Sequence, residues 1–92
     1  MPLSPTQRFS LAPDVLLQRF EDKALLLDLS GEKVYQLNKT GARVAELASQ
    51  GHTLEDLLAQ LDREFAASQE EMARDVREIL ADLQEHRLLV PA

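Results

Sequence analysis

The chain has 92 residues, a net charge of −6 and no cysteine. A chain of this length forms one domain around a single core, predicted over residues 1–92, and leaves little volume for a deep active-site cleft. The lack of cysteine excludes a disulfide framework and a thiolate metal site, and a reducing cytoplasm is the expected location. No apolar run is long enough to cross a bilayer, so no membrane partner is expected.

Charge is distributed unevenly along the sequence. Through Arg43, six basic residues accompany five acidic ones, whereas from Val44 onward four basic residues accompany eleven acidic ones. An acidic second half repels phosphate, so a nucleic acid partner is not expected. Carboxylates that simply solvate exposed helix faces account for most of this asymmetry.

The first half of the chain has the periodicity of strands. Residues 1–13 contain three prolines and are predicted to form an extended arm, part of which lies against a sheet through Phe9 and Leu11. Strands are then predicted over residues 15–20, 24–29 and 32–37. Gly31 supplies the tight reversal between the last two, because glycine adopts a positive φ without steric cost.

Alternation within these strands predicts which side chains face the core. In the second strand Leu25, Leu27 and Leu29 alternate, and they are predicted to face inward. In the third strand Tyr35 and Leu37 share one face, which is predicted to be the inner one because Leu37 adjoins the helical region. The sheet is therefore expected to be antiparallel with one apolar face.

Beyond Thr40 the apolar residues recur at three- and four-residue spacing, which is typical of amphipathic helices. Asn38 or Thr40 is expected to cap the first helix, Thr53 the second, and Ser68 the third in a capping box with Glu71. The predicted helices extend from about Thr40 to Gln50, from Thr53 through Phe65, and from Ser68 to near His86. The fold class is therefore α+β, a three-stranded antiparallel sheet followed by three α-helices in a winged helix-turn-helix-like order.

No residue pattern typical of catalysis or metal binding is present. Neither His52 nor His86 has a second histidine within one helical turn, as paired zinc ligands require. The serines lack the glycine-flanked context of a nucleophile. The carboxylates are spaced for helix ion pairs, such as those of Arg74 with Glu70 and Glu78. The sequence therefore predicts a protein that is not an enzyme and uses no metal or cofactor.

Two binding functions can be weighed from the residues alone. The predicted third helix, which would enter a DNA groove, carries Arg74 and Arg77 among six acidic residues, and this balance argues against DNA binding. The third strand is short, lacks proline and passes directly into the first helix, so it can form an open sheet edge to which a peptide adds as a further strand. The residues equally allow a strand that is covered on both sides.

Three parts of the sequence resemble the PqqD family. The most specific is residues 26–41, Leu-Leu-Asp-Leu-Ser-Gly-Glu-Lys-Val-Tyr-Gln-Leu-Asn-Lys-Thr-Gly, which ends in a Leu-Asn-x-Thr-Gly junction. The resemblance covers nearly the whole chain from Val15. The remaining matches are Gly51 with Thr53-Leu54-Glu55-Asp56-Leu57, and Asp75-Val76 with residues 80–83 and Leu88-Leu89.

The resemblance implies a winged-helix-like peptide-recognition domain in a bacterial protein. Members of the family hold the leader of a ribosomally made precursor peptide as a strand added to the third strand, in a groove lined by the third helix. They present it to a modifying enzyme, a radical S-adenosylmethionine protein in pyrroloquinoline quinone (PQQ) biosynthesis. The Tyr35-x-Leu-Asn-x-Thr-Gly form also resembles leader-binding proteins of lasso-peptide pathways, which is one alternative. A plain dimerisation module that pairs through the same edge is another.

Carried over position by position, the family's peptide-binding site corresponds to two rows of residues. On the third strand these are Val34, Tyr35, Gln36 and Leu37, which supply backbone pairing and pockets. On the third helix they are Ala73, Val76, Arg77 and Leu80, a row offset by about one residue from the core row. Asp75 is expected to make a structural hydrogen bond instead. Many relatives have glycine where this chain has Arg87, so the end of the third helix is expected to differ.

Overall fold

The structure, a computed structural model that describes residues 4–92, contains two small antiparallel sheets and three helices. The strands are β1 (Phe9–Leu11), β2 (Val15–Phe20), β3 (Lys23–Asp28), β4 (Lys33–Leu37) and β5 (Leu89–Pro91). The helices are α1 (Lys39–Ser49), α2 (Leu54–Glu64) and α3 (Gln69–Glu85). The α+β class and the order of a three-stranded sheet followed by three helices are confirmed. Residues 1–3 of the predicted arm lie outside the described residues.

β1 and β5 form a two-stranded sheet that the sequence patterns do not predict. Phe9 pairs with Pro91 and Leu11 with Leu89. The Phe9 side chain is 1% exposed and belongs to the core. Strands of three residues are too short to show alternation, which is why only the contact through Phe9 and Leu11 was expected. The pairing ties the predicted arm to the C-terminal segment of the described chain.

The three-stranded sheet has the order β2-β3-β4. Tyr35 lies opposite Leu26 and Leu37 opposite Ala24, so these four side chains share the inner face. The predicted inward orientation of Tyr35 and Leu37 is confirmed, since both pack against the core.

The predicted inner face of β3 is wrong by one residue. Ala24 and Leu26 are fully buried, whereas Leu25 and Leu27 are only partly buried and Leu29 is 59% exposed. Because side chains alternate with a period of two, a shift of one residue moves the whole row to the other face. The small Ala24 beneath α1 occupies a position where the alternation of leucines predicts a residue that faces away from the core.

α1 is the central element of the core. It packs against both sheets and both other helices. Ala42, Ala45 and Ala48 are fully buried on its inner faces, and their small side chains allow this close approach. Within residues 4–92 no buried side chain is polar or charged. Every helix in that range is too short or too polar to span a lipid bilayer.

Each helix begins with a side-chain cap at a predicted position. Asn38 Oδ1 accepts a hydrogen bond from the Gly41 amide at 2.9 Å, and Ser68 Oγ accepts one from the Glu71 amide at 3.1 Å. The full capping box occurs at α2, where Thr53 is paired with Asp56. The box predicted for Ser68 and Glu71 has only the serine half of its two bonds.

α1 and α3 end in the same backbone motif, with different residues in its left-handed position. The His52 amide donates to Leu47 O and the Gly51 amide to Ala48 O, with Gly51 at φ +87°. At α3 the Leu88 amide donates to Leu83 O and the Arg87 amide to Gln84 O, with Arg87 at φ +58°. Both are Schellman motifs. The expectation that Arg87 would change the end of the third helix is wrong, because buried Leu83 and Leu88 hold the motif closed.

Candidate functional site, a strand edge beside a helix

β4 is an edge strand. Within residues 4–92 it pairs with β3 alone, over the five pairs from Ala24 with Leu37 to Asp28 with Lys33. The backbone of residues 33–37 makes no hydrogen bond to any other described segment. Alternate amides and carbonyls along a strand point to opposite sides, so the outer side of β4 presents unpaired donors and acceptors.

A groove of about 320 Å³ lies between β4 and α3. Its floor is apolar and its rim is polar. The apolar members are Leu37, Gly41, Ile79 and Leu83, and the polar members are Gln36, Asn38, Thr40, Asp75, Glu78 and Asp82. A peptide strand paired with β4 would therefore turn every second side chain toward α3.

The junction between β4 and α1 shapes one end of the groove. Gly41 is buried directly against it, and a Cβ atom there would lie 3.3 Å from Asn38 Oδ1 and 3.5 Å from Leu37 Cβ. Glycine at this position lets the first turn of α1 approach the end of β4 while Asn38 caps the helix. The Leu-Asn-x-Thr-Gly sequence thus fixes the angle at which the strand enters the helix.

Tyr35 on β4 contacts His86, the residue that follows α3. Their rings meet edge to face with centroids 5.3 Å apart, which links β4 to the residue that follows α3. Among the described residues the only buried side-chain polar atom without a partner is Arg19 Nη1. The Tyr35 hydroxyl is thus not a buried polar atom left without a hydrogen-bond partner.

The structure places the four predicted strand residues at the edge. Gln36 and Leu37 line the groove, and Tyr35 lies on the same face of the sheet as Leu37. Val34 points to the opposite face of the sheet and is 63% exposed. Whether these residues contact a peptide remains a prediction.

The structure places none of the four predicted helix residues on the groove. Val76 and Leu80 are fully buried in the core, and Ala73 lines a different cleft. Arg77 is exposed and absent from the lining. The residues of α3 that do line the groove are Asp75, Glu78, Ile79, Asp82 and Leu83.

The rotation of the helix explains why the groove is lined by residues other than the predicted ones. Each residue turns the helix by about 100°. Asp75, Ile79 and Asp82 each come one residue before a core residue. Of the predicted row, Val76 and Leu80 are core residues, and Ala73 and Arg77 each come one residue after one. The groove therefore lies on the other flank of the core row from Ala73 and Arg77, and contact of the four predicted helix residues with a peptide remains a prediction. Ile79 gave the available signal, because it is an apolar residue at the margin of the core stripe.

The charge of the groove is uniformly acidic among the described residues, since Asp75, Glu78 and Asp82 are its only charged lining residues. Asp75 lies 3.9 Å from Arg74 Nε in an exposed contact, and Asp82 lies 3.5 Å from His86 Nδ1. Within residues 4–92 Glu78 makes no ion pair. The predicted pairs of Arg74 with Glu70 and Glu78 are not formed. The expected structural hydrogen bond of Asp75 is also absent from its described side-chain contacts.

A second cleft, of about 530 Å³, lies between α2 and α3. It is lined by Leu58, Ala59, Met72 and Ala73 among others. Helix backbones satisfy their own hydrogen bonds, so this cleft offers side-chain contacts only. Elsewhere in residues 4–92, no group of three histidine or acidic residues has the geometry to hold a metal ion.

Comparisons with known proteins identify related sequences and folds. The sequence model of the family described as coenzyme PQQ synthesis protein D (PqqD) matches residues 23–89. Curated proteins give no significant match. One similar solved structure is described as lasso peptide synthetase B1 complexed with the leader peptide. It shares 25% identity at a TM-score of 0.81, over 91% of this chain and 99% of that one.

Another similar structure is described as TbiB1 in complex with the TbiA(beta) leader peptide. It shares 24% identity at a TM-score of 0.81, over 87% of this chain and 93% of that one. At this identity the likeness establishes the fold. Both neighbours contain an arrangement of strands and helices that superposes on nearly all of the described chain.

Proposed function

Because the chain belongs to the PqqD family, we propose that it is a non-catalytic adaptor that binds the leader of a ribosomally made precursor peptide. The leader adds as a strand to β4 and is presented to a modifying enzyme. The observation that carries this proposal is the open β4 edge beside the groove of α3. The winged-helix-like order of elements serves peptide binding here, since α3 carries too much negative charge for DNA.

Strand addition supplies affinity and register through different groups. The five residues of β4 offer backbone hydrogen bonds, each worth about 0.5 to 1.5 kcal/mol net. Side chains on one face of the guest enter the groove, and those on the other face remain over the outer sheet surface. Affinity then depends on the backbone and selectivity on the groove.

Two pathways are consistent with the comparisons. The family description favours PQQ biosynthesis. For that pathway we propose the radical S-adenosylmethionine enzyme that the sequence resemblance implies as the partner. The two solved structures favour a lasso-peptide or other modified-peptide pathway, because each of those proteins is described with a leader peptide. Neighbouring genes distinguish the two, since the first pathway requires a gene for an iron–sulfur enzyme next to one for a short precursor.

The binding mode can be tested without the native precursor. Short peptides selected from a random displayed library, together with the TbiA(beta) leader, are titrated into the isotopically labelled chain. We expect amide shifts in residues 33–38 and 75–83. Shifts restricted to the α2–α3 cleft, around Leu58 and Ala73, would contradict strand addition.

A backbone scan of the bound peptide gives a sharper test. N-methylation removes one donor at a time from the guest. Added strands point alternate amides at β4, so every second N-methyl group should abolish binding while the intervening ones are tolerated. A helical or irregular guest would give no period of two.

Homodimerisation through β4 is the second candidate function, because an unpaired strand can pair with its own copy. It predicts shifts in residues 33–38 on concentrating the protein alone. Light scattering across the same concentrations reports the mass. A monomer at all concentrations that still binds peptide at β4 excludes dimerisation as the main role of this edge.

A further inference from the structure

We propose that the groove selects leader segments in which a lysine or arginine lies two residues from an apolar residue, both facing α3. This inference rests on the proposed function and specifies its substrate class. It follows from the separation of the groove into an apolar floor and an acidic rim. The floor is formed by Leu37, Ile79 and Leu83, and the rim by Asp75, Glu78 and Asp82.

The negative charge of the rim carboxylates is scarcely neutralised by basic side chains of the described residues. Asp75 has only the exposed 3.9 Å contact with Arg74, and Asp82 has only His86, which carries charge only when protonated. Glu78 has no ion pair within residues 4–92. A positively charged guest side chain would therefore meet carboxylates that are not already neutralised, while an acidic one would be repelled.

The spacing of the rim suits an extended guest. Asp75 on the rim and Ile79 on the floor are four residues apart on α3, which separates them by about 6 Å along the helix axis at a rise of 1.5 Å per residue. Side chains on one face of a strand recur at about 6.6 Å. A guest strand running alongside α3 can thus place one side chain over the floor and the next same-face side chain at a rim carboxylate.

The apolar floor of the groove is the reason that one of the two guest residues must be apolar. Ile79 is partly buried and packs against the core, and Leu83 is buried beside it. A charged side chain placed directly on this surface would lose water without gaining a partner. Lysine and arginine avoid that cost because their long stems cover apolar surface while the charged end reaches the rim.

Sequences recovered from the displayed library test the pattern first. We expect lysine or arginine to be enriched at one position, with an apolar residue two positions away. The enrichment should disappear when the selection uses the variant Asp75→Asn/Glu78→Gln/Asp82→Asn. A control variant, Glu21→Gln/Glu55→Gln/Glu70→Gln, neutralises the same number of exposed carboxylates outside the groove and should retain it.

Affinities then measure the charge contribution. A selected basic peptide and its analogue with glutamine in place of the basic residue are compared by fluorescence anisotropy at low and high ionic strength. The groove variant should bind the basic peptide about fivefold more weakly than the control variant does, with little difference for the glutamine analogue. The difference should shrink at high salt.

The outcomes separate this inference from the proposed function. If both variants bind both peptides equally while amides of residues 33–38 still shift, strand addition holds and charge selection is wrong. If no selected peptide shifts those amides, the proposed function itself fails. Unfolding curves of the two triple variants establish that both are folded before any affinity is compared.

Discussion

Two grooves adjoin the three-stranded sheet, and their charges are arranged in opposite ways. Beside β2, a groove of about 250 Å³ contains Arg19, Lys39 and Arg43 together with Asp22, Glu46 and Glu64. Beside β4, the groove of α3 contains three carboxylates and no basic residue among the described residues. The charged side chains beside β2 balance one another, whereas the carboxylates beside β4 have no basic residue among the lining residues. The backbone does not distinguish the two edges, since β2 and β4 each pair with β3 alone.

The β2 side is held by a network centred on Arg43. Its guanidinium donates to both Glu64 oxygens at 2.8 Å and to Glu46, while Arg19 lies 3.7 Å from Glu46. The hydrogen bond from Arg43 lowers the pKa of Glu64 to about 2, and the bond from Glu64 raises the pKa of Arg43. This network joins α1 to the end of α2, and its ion pairs contribute to the stability of the fold. The carboxylates beside β4 have no comparable basic neighbours among the lining residues, which fits the basic guest side chain proposed above.

The largest expected effect concerns the floor of the β4 groove. Ile79→Arg should lower affinity for the selected peptides at least about tenfold, equivalent to about 1.4 kcal/mol, because the new side chain fills the groove and pairs with neighbouring carboxylates. Leu58→Arg is the matched control, since Leu58, like Ile79, is a partly buried aliphatic residue of a helix that lines a cleft. Anisotropy titrations measure both. Equal losses in the two variants would mean that the peptide does not occupy the β4 groove.

Next in size is the cap that joins β4 to α1. Asn38→Ala should lower the free energy of unfolding by about 1 kcal/mol, because the Gly41 amide loses its acceptor. It should also weaken peptide binding, since the turn at the end of β4 loosens. Thr53→Ala removes a comparable cap at α2 and should cost similar stability. Denaturant unfolding measures the stability of each variant, and peptide titration measures its affinity. A loss of affinity in Thr53→Ala would show that general destabilisation, and not the loosened turn at the end of β4, weakens peptide binding.

The smallest expected effect concerns the β2 network. Glu64→Gln should lower the free energy of unfolding by roughly 0.5 to 1 kcal/mol at neutral pH, since the pair is partly exposed. It should leave peptide affinity unchanged. A double-mutant cycle with Arg43→Gln isolates the interaction. Additive losses in that cycle would contradict a direct contribution of the pair.

The same pair gives a pH dependence with a defined sign. The folded-state pKa of Glu64 lies at about 2, below its ordinary value of 4.5. The stabilisation is therefore present above about pH 4.5 and is lost as the pH falls toward 2. The stability difference between wild type and Glu64→Gln should close over that range. A difference that stays constant down to pH 2 would rule out this carboxylate as its source.

Local patterns predicted the helices well because several signals coincide there. Three signals predict the same bounds for α2. They are the cap Thr53, the acidic first turn, and the apolar stripe of Leu54, Leu57 and Leu61. The short β1–β5 pairing gave no such signal. It depends on contact between the two ends of the described chain, which neither three-residue segment encodes locally.

The candidate site was predictable on the strand and not on the helix. Residues 34–37 were predicted from the family resemblance and from a short strand that passes directly into a capped helix, and their contact with a peptide remains a prediction. The side of α3 that faces β4 depends on how the helix lies across the sheet. The sequence periodicity identifies the residues of α3 that face the core, but not which flank of that row faces β4. Ala24 illustrates the same difficulty in β3, where packing beneath α1 selected the row with the smaller residue.

The two Schellman motifs have unequal consequences for local opening. Gly51 takes the left-handed conformation freely, whereas Arg87 carries a steric cost of about 1 kcal/mol. Amide hydrogen exchange should accordingly be faster near Leu88 than near His52, and Arg87→Gly should slow it. Fraying there would release the His86 ring from its edge-to-face contact with Tyr35 on β4 and so uncouple the end of α3 from that strand.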